Sequence, residues 1–173
     1  MLRLVHIWQV AAALIARVAM MLVFGMFIYG VGMRYLFDKP QSWVDEAVTI
    51  LAVWLVFWTA AFVLKWSELI SFDILVNAFP RHIQRFLIAA SAIAYSAVVG
   101  AALYPIIDYV MFMKIMTTDM LLLRLDLVYS IFVVFLIATA LRSAVLGVRL
   151  LLPTWPPVLA DLLDASAEVE GSL

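Results

Sequence analysis

The sequence predicts an all-α integral membrane protein with four transmembrane helices and interfacial helical segments in the loops. Hydrophobic residues make up 68% of the 173 residues and charged residues only 13%, which is unlike a soluble domain. Four stretches without a charged residue are long enough to form membrane spans: 18–33, 47–64, 86–107 and 127–141. Because a bilayer core about 30 Å thick needs about 20 apolar residues in a helix, the chain can supply four spans and little soluble mass.

The spans are expected at roughly 13–35, 45–65, 86–107 and 125–148, within a membrane domain of residues 1–152. The first and last charge-free stretches are short, so their helices should extend past Arg17 and Arg142, whose long side chains can reach the headgroups. None of the stretches alternates strictly between polar and apolar residues, which favours helices over a β-barrel.

Two loops and the C-terminal end differ in character from the spans. Residues 65–85 and 108–126 mix apolar with polar and charged residues, which indicates segments lying along the membrane surface. From Pro153 onward, the 153–173 tail contains four Asp and Glu residues and no Lys or Arg. We expect this tail to be solvated and partly disordered.

The distribution of basic residues predicts the orientation. With four spans, seven of the eleven Lys and Arg residues fall on the side that holds both termini and the second loop. Because cytoplasmic loops carry an excess of Lys and Arg, both termini are predicted to be cytoplasmic.

The connection between the first two spans carries an unusual cluster of charge. Ser42 precedes Asp45 by three residues, an arrangement typical of a capping box, and Pro40 lies just before it. Asp45 and Glu46 would complement the dipole at the start of the second span. An antiparallel hairpin would bring Arg34 to the same membrane surface, where ion pairs are strengthened by partial desolvation. A capped hairpin explains these residues by itself; the alternative is that they also contact a partner, with these candidates: Arg34, Tyr35, Ser42, Trp43, Asp45 and Glu46.

Two further patterns indicate helix packing. Trp54 and Trp58 are one turn apart in the second span, so they must face lipid or another helix. In the third span, small residues recur every four positions, and such rows allow helix backbones to approach closely. The rows are Ala92, Ser96 and Gly100, beside Ala90, Ala94 and Ala101.

Several function classes lack the residues they need. No Asp, Glu, Lys or His falls within the four charge-free stretches, whereas a transporter acting alone usually keeps an ionisable group in mid-membrane. His6 and His82 lie outside these stretches, which disfavours a bis-His haem site, and the chain has no Cys. No hydrolase-like grouping or H-E-x-x-H motif occurs. We therefore expect no enzyme activity, no catalytic residue, no substrate site, and no bound metal or cofactor. Membrane lipid is expected as a partner, and nucleic acid is not.

The pattern R-Y-x-F, then P-x-S-W, then an acidic pair opening a Trp-containing span resembles the small permease subunit of tripartite ATP-independent periplasmic (TRAP) transporters, the DctQ-like family. The resemblance continues weakly through residues 72–75 and through Phe79-Pro80. One departure is that the family often has Gly-His-Ile before the aspartate, where this chain has Glu68-Leu69-Ile70. The matching residues in the first part are Arg34, Tyr35, Phe37, Pro40, Ser42, Trp43, Asp45, Glu46 and Trp54.

The resemblance implies a non-catalytic subunit in the bacterial inner membrane, paired with a large permease subunit and working with a periplasmic substrate-binding protein. The large subunit would carry the substrate and sodium sites for the import of organic acids, commonly carboxylates. The small subunit would enlarge and anchor the static part of the transporter. Two alternatives remain: a stand-alone transporter or channel formed by self-association, and a membrane-bound redox or lipid enzyme.

Overall fold

The computed structural model describes residues 2–64, 80–152 and 155–160. It contains four helices that are long and apolar enough to cross a membrane, which confirms the predicted fold class. Among the described residues, the β-type pairing consists of an isolated bridge between Thr117 and Arg124. The helices are α1 (Leu2–Leu36), α2 (Ser42–Trp58), α3 (Arg81–Phe112) and α4 (Leu125–Leu151).

Shorter elements extend or connect these helices. A π-helical turn, Thr59–Val63, continues α2, and a 3₁₀ turn, Met113–Ile115, follows α3. Residues 155–160 form a further short helix. Of the predicted surface segment 65–85, residues 65–79 lie outside the described residues and residues 81–85 begin α3. The end of the predicted tail, 161–173, also lies outside the described residues.

Helix α3 is longer than the third predicted span. It runs from Arg81 to Phe112 and includes Pro105 and Asp108. The predicted surface segment 108–126 is therefore not a separate helix. Its first part completes α3, the 3₁₀ turn and a tight loop follow, and its last two residues begin α4. The polar residues of this segment come after the apolar stretch 86–107 of α3. The helix can therefore continue to the membrane surface before the chain turns. The domain boundaries themselves remain predictions.

The chain forms two compact units. Unit 1 consists of Met1–Val63 with Tyr104–Phe135, and unit 2 of Leu64–Leu103 with Leu136–Leu173. In unit 1, α1 and α2 pack as a hairpin in which Val44 is only 1% exposed. Gly30 allows this contact, because a Cβ there would lie 3.1 Å from Val44 Cγ1.

Contacts between aromatic side chains join the helices of unit 1. The Phe57 ring contacts Phe132 and Phe135 of α4 at centroid distances of 5.2 and 5.3 Å. Phe62, in the π-helical turn, contacts both Trp8 and Trp58. Such tilted and edge-on ring pairs stabilise packing beyond the area that they bury.

Two of the indoles of α2, Trp54 and Trp58, donate to backbone carbonyls. Trp54 Nε1 donates to the Val128 carbonyl at 3.1 Å, and Trp58 Nε1 donates to the Ala12 carbonyl at 3.2 Å. An unpaired N–H is costly within hydrocarbon, so these bonds satisfy the donors while joining α2 to α4 and to α1. Both residues therefore serve helix packing, one of the two roles expected for them.

Unit 2 is built on small residues. Ala89 and Ala92 of α3 are buried against Leu146 and Leu150 of α4, together with Leu159 from residues 155–160. At Gly147, a Cβ would lie only 2.6 Å from Ile93 Cγ1. The missing side chain at this position is what lets α3 and α4 approach so closely.

Candidate functional site

Helix α1 ends in a left-handed turn. Asp38 has a φ of 51°, in a region that Asp tolerates better than most residues. The Lys39 N–H donates to the Met33 carbonyl at 3.0 Å, which satisfies one of the free carbonyls at the helix end. The helix thus ends at Leu36, before Pro40, so the turn and not the proline marks its end.

The predicted capping box at Ser42 is wrong. Helix α2 begins at Ser42 itself, its N-cap residue is Gln41, and no side-chain hydrogen bond caps the helix. The Gln41 side chain instead accepts a 2.9 Å hydrogen bond from Trp43 Nε1. The carboxylate expected to complete the box, Asp45, is engaged with Arg34.

Arg34 and Asp45 form an ion pair across the hairpin. Arg34 Nη2 lies 3.1 Å from Asp45 Oδ2, and the two side chains are 55% and 65% exposed. Such an exposed pair contributes little to stability. It therefore fixes the local geometry of the hairpin more than it stabilises the fold.

Glu46 binds backbone amides of the loop between α3 and α4, whereas the sequence placed it beside Arg34. Its Oε2 accepts a 2.7 Å hydrogen bond from the Met120 N–H, and its Oε1 accepts one of 3.2 Å from the Leu121 N–H. A carboxylate that accepts from two consecutive backbone amides is a strong anchor. Glu46 thus joins the start of α2 to the loop between α3 and α4.

That loop is itself highly ordered by hydrogen bonds. The Thr118 N–H donates to the Leu123 carbonyl at 2.9 Å, and the Leu123 N–H donates to Thr118 Oγ1 at 3.0 Å. Leu122, at the tip, has a φ of 53°. At the base, Arg124 forms a 2.7 Å ion pair with Asp126, which raises the pKa of Arg124 and keeps it charged.

Sequence reasoning missed this loop contact. Glu46 and Met120 are 74 positions apart, and no local motif at either end indicates the other. The only sequence signal was that odd-numbered loops of a four-span chain emerge on one side of the membrane. That topology allows the contact but does not single out Glu46.

The remaining partner candidates at this hairpin are exposed. Tyr35 is 79% exposed and Trp43 is 42% exposed. Ser42 occupies the first position of α2. These side chains are available to contact lipid or another protein. A cavity of about 400 Å³ opens nearby, lined by Asp45, Glu46, Thr49, Ile50, Val53, Thr118, Val128 and Tyr129.

A second cavity in unit 1, of about 500 Å³, is almost wholly apolar. Its lining consists of Phe57, Pro105, Ile106, Tyr109, Val110, Met113, Tyr129 and Phe132. No group of three or more His, Asp and Glu side chains suited to a metal ion occurs in the described ranges. The apolar lining suits this second cavity to contact with an apolar group.

The predicted packing face on α3 is divided by the structure. Ala92 is 3% exposed within the core of unit 2, and Ser96 Oγ donates to the Ala140 carbonyl of α4 at 3.0 Å. Gly100, in contrast, is exposed, and a Cβ there would have no atom within 4 Å. A helix advances about 100° per residue, so a four-residue row turns away from its neighbour by about 40° at each step. Gly100 has therefore rotated off the face that holds Ala92.

The helices and their exposed apolar surfaces define a multi-pass α-helical membrane protein. Residues 23–153 match the family model described as tripartite ATP-independent periplasmic transporters, DctQ component. The chain therefore belongs to the DctQ family and is a small membrane subunit of a TRAP transporter. The searches of curated proteins and of solved structures gave no match.

Proposed function

We propose that this chain is the non-catalytic subunit that anchors the large permease subunit of a sodium-driven TRAP importer for organic acids. The observation that carries the proposal is the family match over residues 23–153. In the complete transporter, the large subunit holds the substrate and sodium sites, and a periplasmic binding protein delivers the carboxylate.

The exposed surface of unit 1 supports an anchoring role. In α1, only 6% of the most apolar 18-residue stretch within Ile7–Leu36 is buried within the chain. Lipid covers such a surface in isolation, and a second membrane protein covers part of it in a complex. The charge-free stretches lack the ionisable groups that would bind sodium, which supports coupling in the large subunit.

The charged hairpin is the proposed contact on the periplasmic side. With both termini cytoplasmic in the bacterial inner membrane, the α1–α2 and α3–α4 connections face the periplasm. Arg34, Asp45 and Glu46 then lie at that surface, beside the exposed aromatic rings of Tyr35 and Trp43. Ion pairs and aromatic anchors of this kind determine orientation and specificity in protein interfaces.

Reconstitution in liposomes tests this function. The chain would be combined with a TRAP large permease and a TRAP binding protein from the same organism, and uptake of radiolabelled succinate and of sialic acid measured separately under an inward sodium gradient. We expect uptake of the solute that the binding protein accepts only when all three proteins are present. Uptake without this chain would contradict the proposal.

A stand-alone, self-associating transporter or channel is the second candidate. The observation that favours it is that the small residues Ala90, Ala94 and Ala101 of α3 are exposed and could form a homomeric contact. Liposomes containing this chain alone distinguish the two functions. Solute flux through those liposomes supports the second candidate, and tight liposomes support the first.

A further inference from the structure

The last three turns of α4 carry two arginines on one face. Arg142 and Arg149 are seven residues apart, which in a helix places them about two turns and about 10 Å apart on the same side. Both line a cavity of about 330 Å³ in unit 2. The rest of its lining is apolar: Leu141, Val145, Leu146 and Val158.

The position of Arg142 shows how deep in the membrane this cavity lies. Its Nη2 donates to the Leu64 carbonyl at 2.8 Å, and Leu64 directly follows the second membrane span, Ser42–Val63. Arg142 therefore lies at the level where that span ends. Arg149 lies further toward the aqueous side, within three residues of the end of α4. The cavity thus extends through the interfacial layer, where phospholipid phosphates are found.

The outer wall of the cavity is held in place by its own contacts. Val158 belongs to residues 155–160, and its neighbour Leu159 is 1% exposed in the core of unit 2. At the start of this segment, the Trp155 ring lies 5.0 Å beneath the Arg85 guanidinium. Arg85 in turn donates to the carbonyls of Leu150 and Leu151 at the end of α4. The wall is therefore part of the folded unit.

The electrostatics of the cavity favour an anion. Among the described residues, no carboxylate lines it and no salt bridge involves Arg149, which is exposed. Guanidinium groups bind phosphate through paired N–H donors, and basic pockets on membrane helices take acidic headgroups. The apolar side chains beside the arginines suit the first methylenes of an acyl chain.

We propose that this cavity binds an anionic phospholipid, with the Arg149 guanidinium on the phosphate and Arg142 beside it. The acyl chain passes along Leu141 and Val145, on the lipid-facing side of α4. This site is distinct from the charged hairpin of unit 1 and does not depend on the transported substrate.

Native mass spectrometry of the full-length chain in mild detergent tests the proposal. Phosphatidylglycerol and phosphatidylcholine with identical acyl chains would be titrated, and glycerol 3-phosphate added as a soluble competitor. We expect preferential retention of phosphatidylglycerol. Arg149→Gln should weaken its binding about fivefold, as expected for one arginine near a membrane surface, without changing that of phosphatidylcholine.

Matched variants distinguish lipid binding in the cavity from attraction to any surface arginine and from contact with any exposed apolar side chain. Arg81→Gln removes an exposed arginine that does not line the cavity, and it should leave phosphatidylglycerol binding unchanged. Val145→Phe fills the cavity and should lower binding, whereas Val148→Phe, at an equally exposed valine outside the lining, should not.

The proposal is overturned by equal retention of the two lipids, by equal losses in Arg149→Gln and Arg81→Gln, or by equal effects of the two valine variants. Displacement of the lipid by millimolar glycerol 3-phosphate would also overturn it, because the site would then accept a soluble phosphate and not a lipid.

Discussion

Units 1 and 2 hold their helices together by different means. Unit 1 relies on aromatic contacts, on two indole bonds to backbone carbonyls and on a carboxylate that anchors a loop. Unit 2 relies on small side chains that bring α3 and α4 close together around buried leucines. The buried share of the most apolar window is 6% in Ile7–Leu36 and 39% in Leu125–Leu151. The comparison indicates that this chain covers much more of α4 than of α1, whose surface is left for lipid or a partner.

The largest effect should come from closing the gap between α3 and α4. Gly147→Ala places a Cβ 2.6 Å from Ile93 Cγ1 and 3.4 Å from the Ala89 carbonyl oxygen, so the Ile93 side chain or one of the two helices must shift. We expect a loss of roughly 2 kcal/mol in the free energy of unfolding, as for other overpacked cores. Unfolding in increasing sodium dodecyl sulfate, followed by circular dichroism, measures it.

Gly100→Ala is the matched control, because a Cβ at Gly100 has no atom within 4 Å. In the same helix pair, this substitution should be neutral or stabilise by up to about 1 kcal/mol through helix propensity. Equal destabilisation by the two variants would show that the close approach at Gly147 is not what holds unit 2 together.

The next effect concerns the anchored loop of unit 1. Glu46→Gln removes the charge of the carboxylate that accepts from the Met120 and Leu121 amides. We expect hydrogen exchange at these amides to become roughly tenfold faster, because charge-assisted bonds are stronger than neutral ones. Exchange mass spectrometry with peptides covering 116–124 measures it, with Asp45→Asn as the control. Unchanged exchange would mean that the loop is ordered without Glu46.

A smaller loss is expected from the indole bonds. Trp58→Phe keeps a ring against Phe62 but removes the donor to the Ala12 carbonyl. Interhelical hydrogen bonds in membranes contribute about 0.6 to 1.7 kcal/mol, so we expect a loss of about 1 kcal/mol in the same denaturation assay. Trp8→Phe keeps a ring near Phe62 without removing either indole bond of α2 and serves as the control. If Trp58→Phe lowers the free energy of unfolding no more than Trp8→Phe does, the indole hydrogen bond does not stabilise unit 1.

The smallest effect should be at the Arg34–Asp45 pair. A double-mutant cycle with Arg34→Gln and Asp45→Asn should give a coupling energy below about 1 kcal/mol in the isolated chain, because both side chains are largely exposed. A larger coupling would mean that the hairpin depends on this pair for stability, and the comparison between the units would need revision.

The sequence predicted the four spans because transfer of apolar side chains into the bilayer dominates their free energy, and charge-free stretches report it directly. It also predicted a helix-packing face at Ala92, Ser96 and Gly100. A four-residue row rotates by about 40° at each step, so its two ends cannot both face α4. Which end faces α4 could not be predicted, because that depends on how α4 crosses α3. The contact of Glu46 with residues 120–121 depends likewise on tertiary structure.

The C-terminal region shows a different limit. Pro153, Pro156 and Pro157, with the acidic residues that follow, are typical of a solvated tail. In the structure, however, residues 155–160 form a helix in which Leu159 is buried and Trp155 contacts Arg85 and His82. Composition averaged over the tail concealed two side chains, Trp155 and Leu159, that pack against the folded unit.

Co-purification tests the proposed anchoring function most directly. The affinity-tagged chain would be expressed with a TRAP large permease from the same organism, extracted in mild detergent and analysed by native mass spectrometry. We expect a stable complex with one copy of each subunit, and its weakening by Arg34→Glu at normal expression of both proteins. Recovery of this chain alone, or as an oligomer of itself with the permease left behind, would contradict the account.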